Sequence, residues 1–449
     1  MARQQVHSRL SGAPRSTGLS WPPQSVHWRP KRVRSERLRR GDVVIAVVLS
    51  VVLVAAGVLL WQASPADGTT DRTAQPPISA PPDAAGIPAG FVEAWRAPSA
   101  ATVLPAVSGP AVITADGSTV SGRDALTGAE AWSYARDREL CTVAAGFPAA
   151  DNRRGRVLAL YEGDTGYCSE MTALRPDTGA RVAARNSDVV PGTELVADDT
   201  FVLATGERYL EVERSDLVKT LEYGAVVAPA QPGRQPRVGC VYASTMLAAR
   251  RLGVIERCPN EATDRLTVLS PDPADAEKPE EEFSVLLPVE GATVVALTTE
   301  RVAVALPNPP RLQLLDGNGA EVGVVDLDVP EADLATDPPG GVPELSTGPG
   351  SEGPIYWWTG SRTIALDAVD LTPRWTLPDT LGPALPYGGG LLVPVPDGLL
   401  DVDPATGAAL RTIPVQREDR TGPVRLAAAG QVVLEQRGPE VVALRPSGP

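Results

Sequence analysis

Histidine is almost missing from this chain: among 449 residues only His7 and His27 are present, and both precede residue 40. Serine–histidine and cysteine–histidine nucleophilic mechanisms, and metal sites built on histidine, are therefore excluded for all residues after that point. The sequence also lacks a phosphate-binding loop of the Gly-rich type that ends in Lys and Ser or Thr. We predict a protein that is not an enzyme, with no catalytic residues and no metal site.

Carboxylates are the remaining candidates for chemistry, since pairs of them catalyse glycoside hydrolysis. Five aspartates recur before turns, where a carboxylate caps local N–H groups, and we predict that structural role for them. The acidic segment Pro271–Glu282 has the composition of a calcium loop, but its spacing does not match an EF-hand, which favours a solvated loop. The five aspartates are Asp124, Asp177, Asp316, Asp367 and Asp403.

Charge is distributed unevenly along the chain. Residues 1–40 hold ten basic residues against one acid, whereas the remainder carries a net charge of −23. Val43–Trp61 is an uncharged apolar run of 19 residues, long enough to cross a hydrocarbon core of ~30 Å. The positive-inside rule predicts a single transmembrane helix in the plasma membrane, with residues 1–40 as a disordered basic tail in the cytoplasm and all later residues outside.

Two alternatives concern this N-terminal region. A cleaved signal peptide with a small-residue site at Ser64–Ala66 competes with the uncleaved anchor, although the basic leader is long for a signal peptide. The basic tail could also contact anionic lipid or nucleic acid. We expect a topology signal there, and no nucleic-acid partner.

Proline and cysteine characterise the chain beyond the apolar run. Residues 62–90 contain six prolines without apolar periodicity, which predicts a semi-extended linker that lifts the next domain off the membrane. Four cysteines come later, and an even number in an oxidising compartment predicts disulfides. Their spacings do not match a zinc site. The four are Cys141, Cys168, Cys240 and Cys258.

From Phe91 onward, short Val-rich runs alternate with Gly, Pro, Asp and Asn, as β-strands do. They fall into groups of four with a period of about 44 residues, which is typical of β-propeller blades. The last group has three runs, and Phe91–Trp95 supplies the outer strand that closes the ring. We predict an all-β, eight-bladed propeller over residues 91–446, with seven blades as the alternative if group four or six is an insertion. The predicted outer strands contain Trp95, Trp132, Val182, Thr220, Ser284, Val322, Trp375 and Leu410.

The strand register also pairs the cysteines. In group four we predict the first two strands at Val238–Ala243 and Met246–Leu252, with Cys240 near the start of the innermost strand and Cys258 in the loop to the third. The two cysteines of group two are placed alike. First and third strands of a blade run in the same direction, so their starts share one side of the ring. The predicted disulfides are Cys141–Cys168 and Cys240–Cys258.

One repeat resembles a known family. Residues 123–132 read Arg-Asp-Ala-Leu-Thr-Gly-Ala-Glu-Ala-Trp, similar to the Leu-Asp-x-x-Thr-Gly-x-x-x-Trp pattern of pyrroloquinoline-quinone-type (PQQ-like) propeller repeats. The whole chain resembles the single-pass, membrane-anchored PQQ-like β-propeller proteins of high-GC Gram-positive bacteria; only three of its 41 basic residues are lysine, which fits such a genome. The turn and blade-packing residues that match are Asp124, Thr127, Gly128 and Trp132; Asp177, Thr178 and Gly179; Asp367 and Trp375; Asp403, Thr406 and Gly407; and Trp95 in the place of Trp132.

The resemblance implies that the Trp of a repeat packs between neighbouring blades, so that blades without it pack through aliphatic residues or more loosely. No settled activity comes with the family. We expect a protein-interaction scaffold in the cell envelope, with a protein partner at a propeller face. A ligand-sensing ectodomain is the alternative, and a quinoprotein oxidoreductase is less favoured because those enzymes show adjacent cysteines, a calcium site and fuller Trp repeats. We therefore expect no cofactor.

One long insertion interrupts the repeats. Leu327–Pro354 separates groups five and six and is rich in Asp, Pro and Gly. Insertions of this length are often either functional or disordered, and both interpretations stand on the sequence.

Overall fold

The computed structural model describes residues 40–62, 64, 67–148, 155–335, 342–347, 353–417 and 422–447. The chain divides into two units, residues 1–64 and 65–449. In the first, α1 spans Arg40–Gln62. It is long and apolar enough to cross a membrane and includes the whole predicted span Val43–Trp61. The predicted basic tail lies outside the described residues apart from Arg40.

The second unit consists of antiparallel sheets, each of which forms one blade. Two strands precede the first complete blade: β1 (Thr69–Arg72) and β2 (Phe91–Pro98). Blade 1 contains β3 (Ala106–Ser108), β4 (Ala111–Asp116), β5 (Thr119–Asp124) and β6 (Glu130–Arg136); blade 2 contains β7 (Leu140–Gly146), β8 (Arg156–Tyr161), β9 (Cys168–Leu174) and β10 (Arg181–Val189). Blade 3 contains β11 (Leu195–Ala197), β12 (Phe201–Ala204), β13 (Tyr209–Arg214) and β14 (Lys219–Gly224); blade 4 contains β15 (Val241–Ala248), β16 (Arg251–Arg257), β17 (Arg265–Leu269) and β18 (Glu281–Leu286).

The remaining blades have the same order. Blade 5 contains β19 (Thr293–Leu297), β20 (Arg301–Pro307), β21 (Pro310–Asp316) and β22 (Glu321–Asp326); blade 6 contains β23 (Leu345–Thr347), β24 (Ile355–Trp358), β25 (Thr363–Leu366) and β26 (Pro373–Leu377). Blade 7 contains β27 (Leu385–Tyr387), β28 (Gly390–Val395), β29 (Gly398–Val402) and β30 (Ala409–Pro414); blade 8 contains β31 (Val424–Ala429), β32 (Val432–Arg437) and β33 (Glu440–Pro446). A short 3₁₀ helix, Glu331–Leu334, lies between blades 5 and 6.

Blade 8 is completed by the N-terminal strand. Its order is β2-β33-β32-β31, and β2 pairs with β33 from Phe91 opposite Pro446 to Pro98 opposite Glu440. The eight-bladed ring closed by the N-terminal strand is therefore confirmed, and all eight predicted outer-strand residues lie in outer strands. Because β2 pairs with β33, the edge of β33 does not present unpaired backbone N–H and C=O groups, which in other proteins can pair with a second chain.

The ring has two faces, which we name by strand direction. The innermost strands begin at the upper face, which therefore carries the connections from the second to the third strand and from one blade to the next. The lower face carries the other two kinds of hairpin. Innermost strands of successive blades contact one another around the central axis, as β3 does with β7 and β31.

The predicted register of blade 4 is wrong by several residues. The first two strands are Val241–Ala248 and Arg251–Arg257, and not the two ranges that end at Ala243 and Leu252. The hairpin turns at Ala249-Arg250, which both have positive φ (52° and 57°), as the two central residues of a hairpin turn do. Ser244 and Thr245 are instead buried inside the strand. Neither turn residue is a Gly, Asn or Asp, so the sequence carries no turn signal there.

Most of the segment predicted as a linker packs on the propeller. β1 pairs with β6 and adds a fifth strand to blade 1. Residues 73–90, which we call the strap, continue across the lower face. Ile78, Pro81, Ala84 and Ile87 are partly buried while the residues between them are exposed. This three-residue period is that of a polyproline II helix. It matches neither the two-residue period of a β-strand nor the 3.6-residue period of an α-helix, by which apolar periodicity is usually recognised.

The strap contacts four blades. The Ala74 and Ile78 amides donate hydrogen bonds to the Thr178 and Asp177 carbonyls of blade 2 (3.0 and 2.9 Å), and Ala74 also packs into the core between blades 1 and 2. In blade 8, the Gln431 amide donates to the Pro82 carbonyl (2.8 Å). In blade 7, the Arg411 guanidinium donates to the carbonyls of Ile87 and Pro88, both at 2.9 Å. Only residues 63–68 remain between α1 and β1.

Candidate functional site

The predicted repeat aspartates cap turns. Oδ1 of Asp124 accepts hydrogen bonds from the amides of Leu126 and Thr127 and from the Thr127 hydroxyl (2.8–3.1 Å). Asp403 binds the amides of Ala405 and Thr406 in the same way (both 2.9 Å). These hydrogen bonds lower the pKa of the Asp403 carboxyl. Asp316 and Asp367 also accept hydrogen bonds from amides two to four residues further along the chain.

Asp177 departs from the predicted role. Arg175 occupies the position that corresponds to Asp124 and Asp403, and Asp177 lies two residues further along, inside the turn. Its carboxylate pairs with the Arg175 guanidinium through two contacts of 3.2 Å. The sequence pattern matched because Thr178-Gly179 is intact, but the charged residue before the turn has the opposite sign.

Each repeat tryptophan links two blades. The Trp132 indole N–H of blade 1 donates to the Pro176 carbonyl in the turn of blade 2 (2.7 Å), and its ring lies over Gly179. A Cβ at Gly179 would meet that ring at 2.7 Å, and its φ is +75°. The same arrangement joins Trp95 to Ala125 and Gly128, and Trp375 to Pro404 and Gly407. The three repeat tryptophans therefore lie at contacts between neighbouring blades.

A fourth aromatic contact of this kind was not predicted. Phe283, in the outer strand of blade 4, lies over Gly319 in the turn of blade 5, where a Cβ would meet the ring at 2.5 Å. Gly319 has φ of +86°. The only signal in the sequence is a Gly three residues after Asp316, and the shorter turn hides it from the six-residue motif.

Both predicted disulfides are present. Cys141–Cys168 joins Cα atoms 6.1 Å apart, and Cys240–Cys258 joins Cα atoms 4.2 Å apart. Cys141 lies at a register shift between β7 and β8. Each bridge ties the start of an innermost strand to the connection between the second and third strands: Cys168 is the first residue of β9, and Cys258 directly follows β16. Both therefore lie at the upper face and tie together its connections in blades 2 and 4.

The acidic segment Pro271–Glu282 packs against the edge of a sheet. Among the described residues no group of three or more carboxylates, thiols or imidazoles is placed to hold a metal ion. The segment lies along the outer edge of blade 3, where the Glu222 amide donates to the Ala276 carbonyl (2.9 Å) and Arg234 pairs with Asp275. Like β1 on blade 1, it covers an exposed sheet edge.

Charged side chains from three blades meet at the upper end of the central axis. Arg425 in β31 is the one charged residue of the eight innermost strands as the structure describes them. It donates to Glu344, which directly precedes β23. Blades 8 and 6 are separated by blade 7, so this ion pair links two blades that are not neighbours in the ring.

Glu194, which precedes β11 of blade 3, approaches the pair from the opposite side of the ring. Burial raises the pKa of its carboxyl, and the charge of Glu344 adds to that increase while Arg425 opposes it. Among the described residues, Glu344 Oε2 and Arg425 Nε are buried without a hydrogen-bond partner. We call Glu194, Glu344 and Arg425 the axial cluster. It contains two carboxyls and one cation, and two of its buried polar atoms have no hydrogen-bond partner among the described residues.

The described part of the long insertion is anchored beside this cluster. Asp333 in the 3₁₀ helix accepts hydrogen bonds from the hydroxyls of Thr359 and Ser361, both at 2.7 Å. Leu334 is buried against blades 5 and 6. The Trp358 amide donates to the Glu344 carbonyl (2.9 Å). Residues 336–341 and 348–352 lie outside the described part.

No protein-family model and no curated protein matches the chain. Solved structures do resemble it. BamB from Moraxella catarrhalis aligns over 79% of this chain and 99% of its own, with 13% identity and a TM-score of 0.44. The dihydro-heme d1 dehydrogenase NirN in complex with DHE aligns over 78% and 73%, with 15% identity and a TM-score of 0.47. BBS1N in complex with ARL6DN aligns over 80% and 98%, with 11% identity and a TM-score of 0.41. The eight-bladed assignment itself rests on the strand order of this chain.

Proposed function

We propose that this protein is a membrane-anchored scaffold of the cell envelope whose propeller binds a protein partner at its upper face. The observation that carries the choice of face is the strap. It covers the lower ends of blades 7, 8, 1 and 2 with the chain's own residues. The upper face instead carries both disulfides, the connection 225–240, residues 327–335 and 342–344 of the long insertion, and the axial cluster. Loops held by a rigid scaffold are the usual place for binding residues.

Cross-linking from one face and then from the other tests this proposal. Val227 at the upper face and Val369 at the lower face are 62% and 68% exposed, so they offer matched positions for a photo-activated amino acid. In cells that express the full chain, we expect Val227 to give one dominant protein adduct and Val369 to give none. An adduct formed at Val369 alone would move the binding site to the lower face.

The proposed orientation places the propeller outside the membrane and residues 1–40 inside. The basic tail before α1 and the disulfides support it, because disulfides persist in oxidising compartments. A reporter that is active only outside should be active when fused after Pro449. When fused at Arg40 of a chain that lacks the anchor, it should be silent. Activity of that second fusion would contradict the orientation.

A ligand-sensing ectodomain is a second candidate, and the axial cluster favours it because its polar atoms are not saturated. The quinoprotein alternative is less well supported. Its cofactor carries several carboxylates, whereas the axial cluster has two carboxyls against one arginine that is already paired. We therefore propose that no quinone binds, and we expect addition of quinone and calcium to give no dye-linked oxidation of alcohols or sugars.

A further inference from the structure

Two fully buried carboxyls lie side by side in the interface between blades 2 and 3. Glu211 and Glu213 are two residues apart on β13, so their side chains share one face of the strand. Their exposed fractions are 0% and 1%. Burial of two carboxylates at this spacing is costly unless donors compensate both. Glu211 and Glu213 differ in the number of hydrogen-bond donors that reach their carboxyl oxygens.

Glu211 is well supplied with donors. The Ser187 hydroxyl from β10 of blade 2 donates to its Oε1, and the Tyr209 hydroxyl from its own strand donates to Oε2 at 2.8 Å. Neither oxygen of Glu213 accepts a hydrogen bond from any described residue. The Arg185 Nε atom is 3.3 Å from Glu213 Oε1.

The nearby cations are shared with other acceptors. Arg185 donates from Nε to the Asn186 carbonyl and from Nη1 to the Leu217 carbonyl, both at 3.1 Å. The Lys219 ammonium on β14 lies 2.6 Å from Glu222, the residue that pairs with Glu211 across the strands. From blade 2, the other side chains that pack into this interface include Leu158, Leu160, Met171 and Ala173, which are apolar. The charged and titratable groups around Glu213 are Arg185, Asp188, Tyr209, Glu211, Lys219 and Glu222.

We infer that Glu213 is held as the neutral acid and donates a hydrogen bond to Glu211. The proton on Glu213 thereby stabilises the interface between blades 2 and 3. With Asp188 exposed to solvent, the buried carboxyls of Glu211, Glu213 and Glu222 then face Arg185 and Lys219 without excess charge. The buried Glu213 also gains the hydrogen bond that it otherwise lacks. Loss of this proton leaves two adjacent buried anions on one strand, which repel each other and favour separation of the blades.

This arrangement makes the interface sensitive to pH. Burial, and to a smaller extent the charge of Glu211, raises the pKa of Glu213 from 4.5 to about 8. The folded chain therefore binds more protons than the unfolded chain between these two values, and its stability falls as pH rises through that window. Below pH 4.5 Glu213 is protonated in both states, so its contribution to stability is fully present and does not change with pH. Above pH 8 the loss of that stability is complete.

The experiment is thermal unfolding of the full chain in detergent between pH 5 and pH 9. We expect the midpoint of the wild type to fall by roughly 5 °C from this group and Glu213→Gln to abolish that part of the fall. Glu211→Gln should move the fall to lower pH, since it removes the neighbouring charge. Glu256→Gln is the matched control. Glu256 is equally buried but accepts hydrogen bonds from Arg237, Tyr223 and Thr267, so this variant should be less stable at every pH and keep the wild-type pH dependence.

A second measurement needs no variant to fold. The infrared band of a protonated buried carboxyl should be present at pH 6 and lost by pH 9, and hydrogen exchange in β10 and β13 should rise over the same range relative to other blades. A pH profile of Glu213→Gln identical to that of the wild type would overturn the inference. So would the absence of the infrared band at pH 6.

Discussion

At the scale of single residues, the repeat motif acts through contacts between blades. Trp132 is fully buried, and its ring and N–H both reach the next blade. Trp132→Ala should lower the free energy of unfolding by about 3–5 kcal/mol, since it leaves a large cavity and an unpaired carbonyl at Pro176. Urea unfolding measures this, and Trp358→Ala, at a partly buried position, should cost less. Equal losses for the two variants would contradict the assigned role.

Residue patterns predicted these contacts unevenly. Where Thr-Gly and Trp are spelled out, as at Gly128 and Trp132, the sequence was sufficient. The contact of Phe283 with Gly319 was missed. It has the same ring-over-glycine packing, but the ring is Phe instead of Trp and the turn is shorter, so the sequence does not match the motif. The axial cluster was missed for a different reason: Glu194, Glu344 and Arg425 are far apart in sequence, and only closure of the ring brings them together.

At the scale of elements, the strap packs closely against a glycine in a lower-face hairpin of blade 8. Gly430 has φ of +55°, and a Cβ there would lie 2.3 Å from the Pro82 carbonyl oxygen. Gly438, in the next hairpin of blade 8, has φ of +59° with nothing within 4 Å. Gly430→Ala and Gly438→Ala therefore share the same backbone strain, and only the first one disturbs the strap.

We expect Gly430→Ala to destabilise the protein more than Gly438→Ala by roughly 1–3 kcal/mol, the usual cost of overpacking. Limited proteolysis should also cut within residues 73–90 sooner in that variant. If the two variants unfold alike and are cut alike, the strap is not held at this hairpin.

At the scale of the whole molecule, closure should dominate stability. A chain that begins at Asp67 keeps the whole propeller. A chain that begins at Phe91 lacks β1 and the strap, and one that begins at Ser99 lacks the closing strand β2 as well. Their thermal midpoints should fall in that order, with the larger drop between the last two, because β2 forms seven residue pairs with β33 and carries Trp95. Similar unfolding of the chains from Phe91 and Ser99 would show that β2 does not close the ring.

The ring itself was largely predictable from sequence. Short Val-rich runs that fall into groups of four, with a period of about 44 residues, are enough to count blades and to pair the cysteines. The errors come where tertiary structure overrides local signals. Blade 4 turns at Ala249-Arg250 without a turn residue, and the Pro-rich segment after α1 folds onto the lower face because its anchors recur every third residue.

The position of the strap also determines the path of mechanical tension along the chain. A pull transmitted from α1 reaches the β1–β6 ladder first, then the contacts of Ala74, Pro82 and Ile87, and reaches the closing strand β2 only after these. These contacts therefore take the load before it reaches the seam of the ring. The pairing of β2 with β33 is thus loaded last when the chain is pulled from α1.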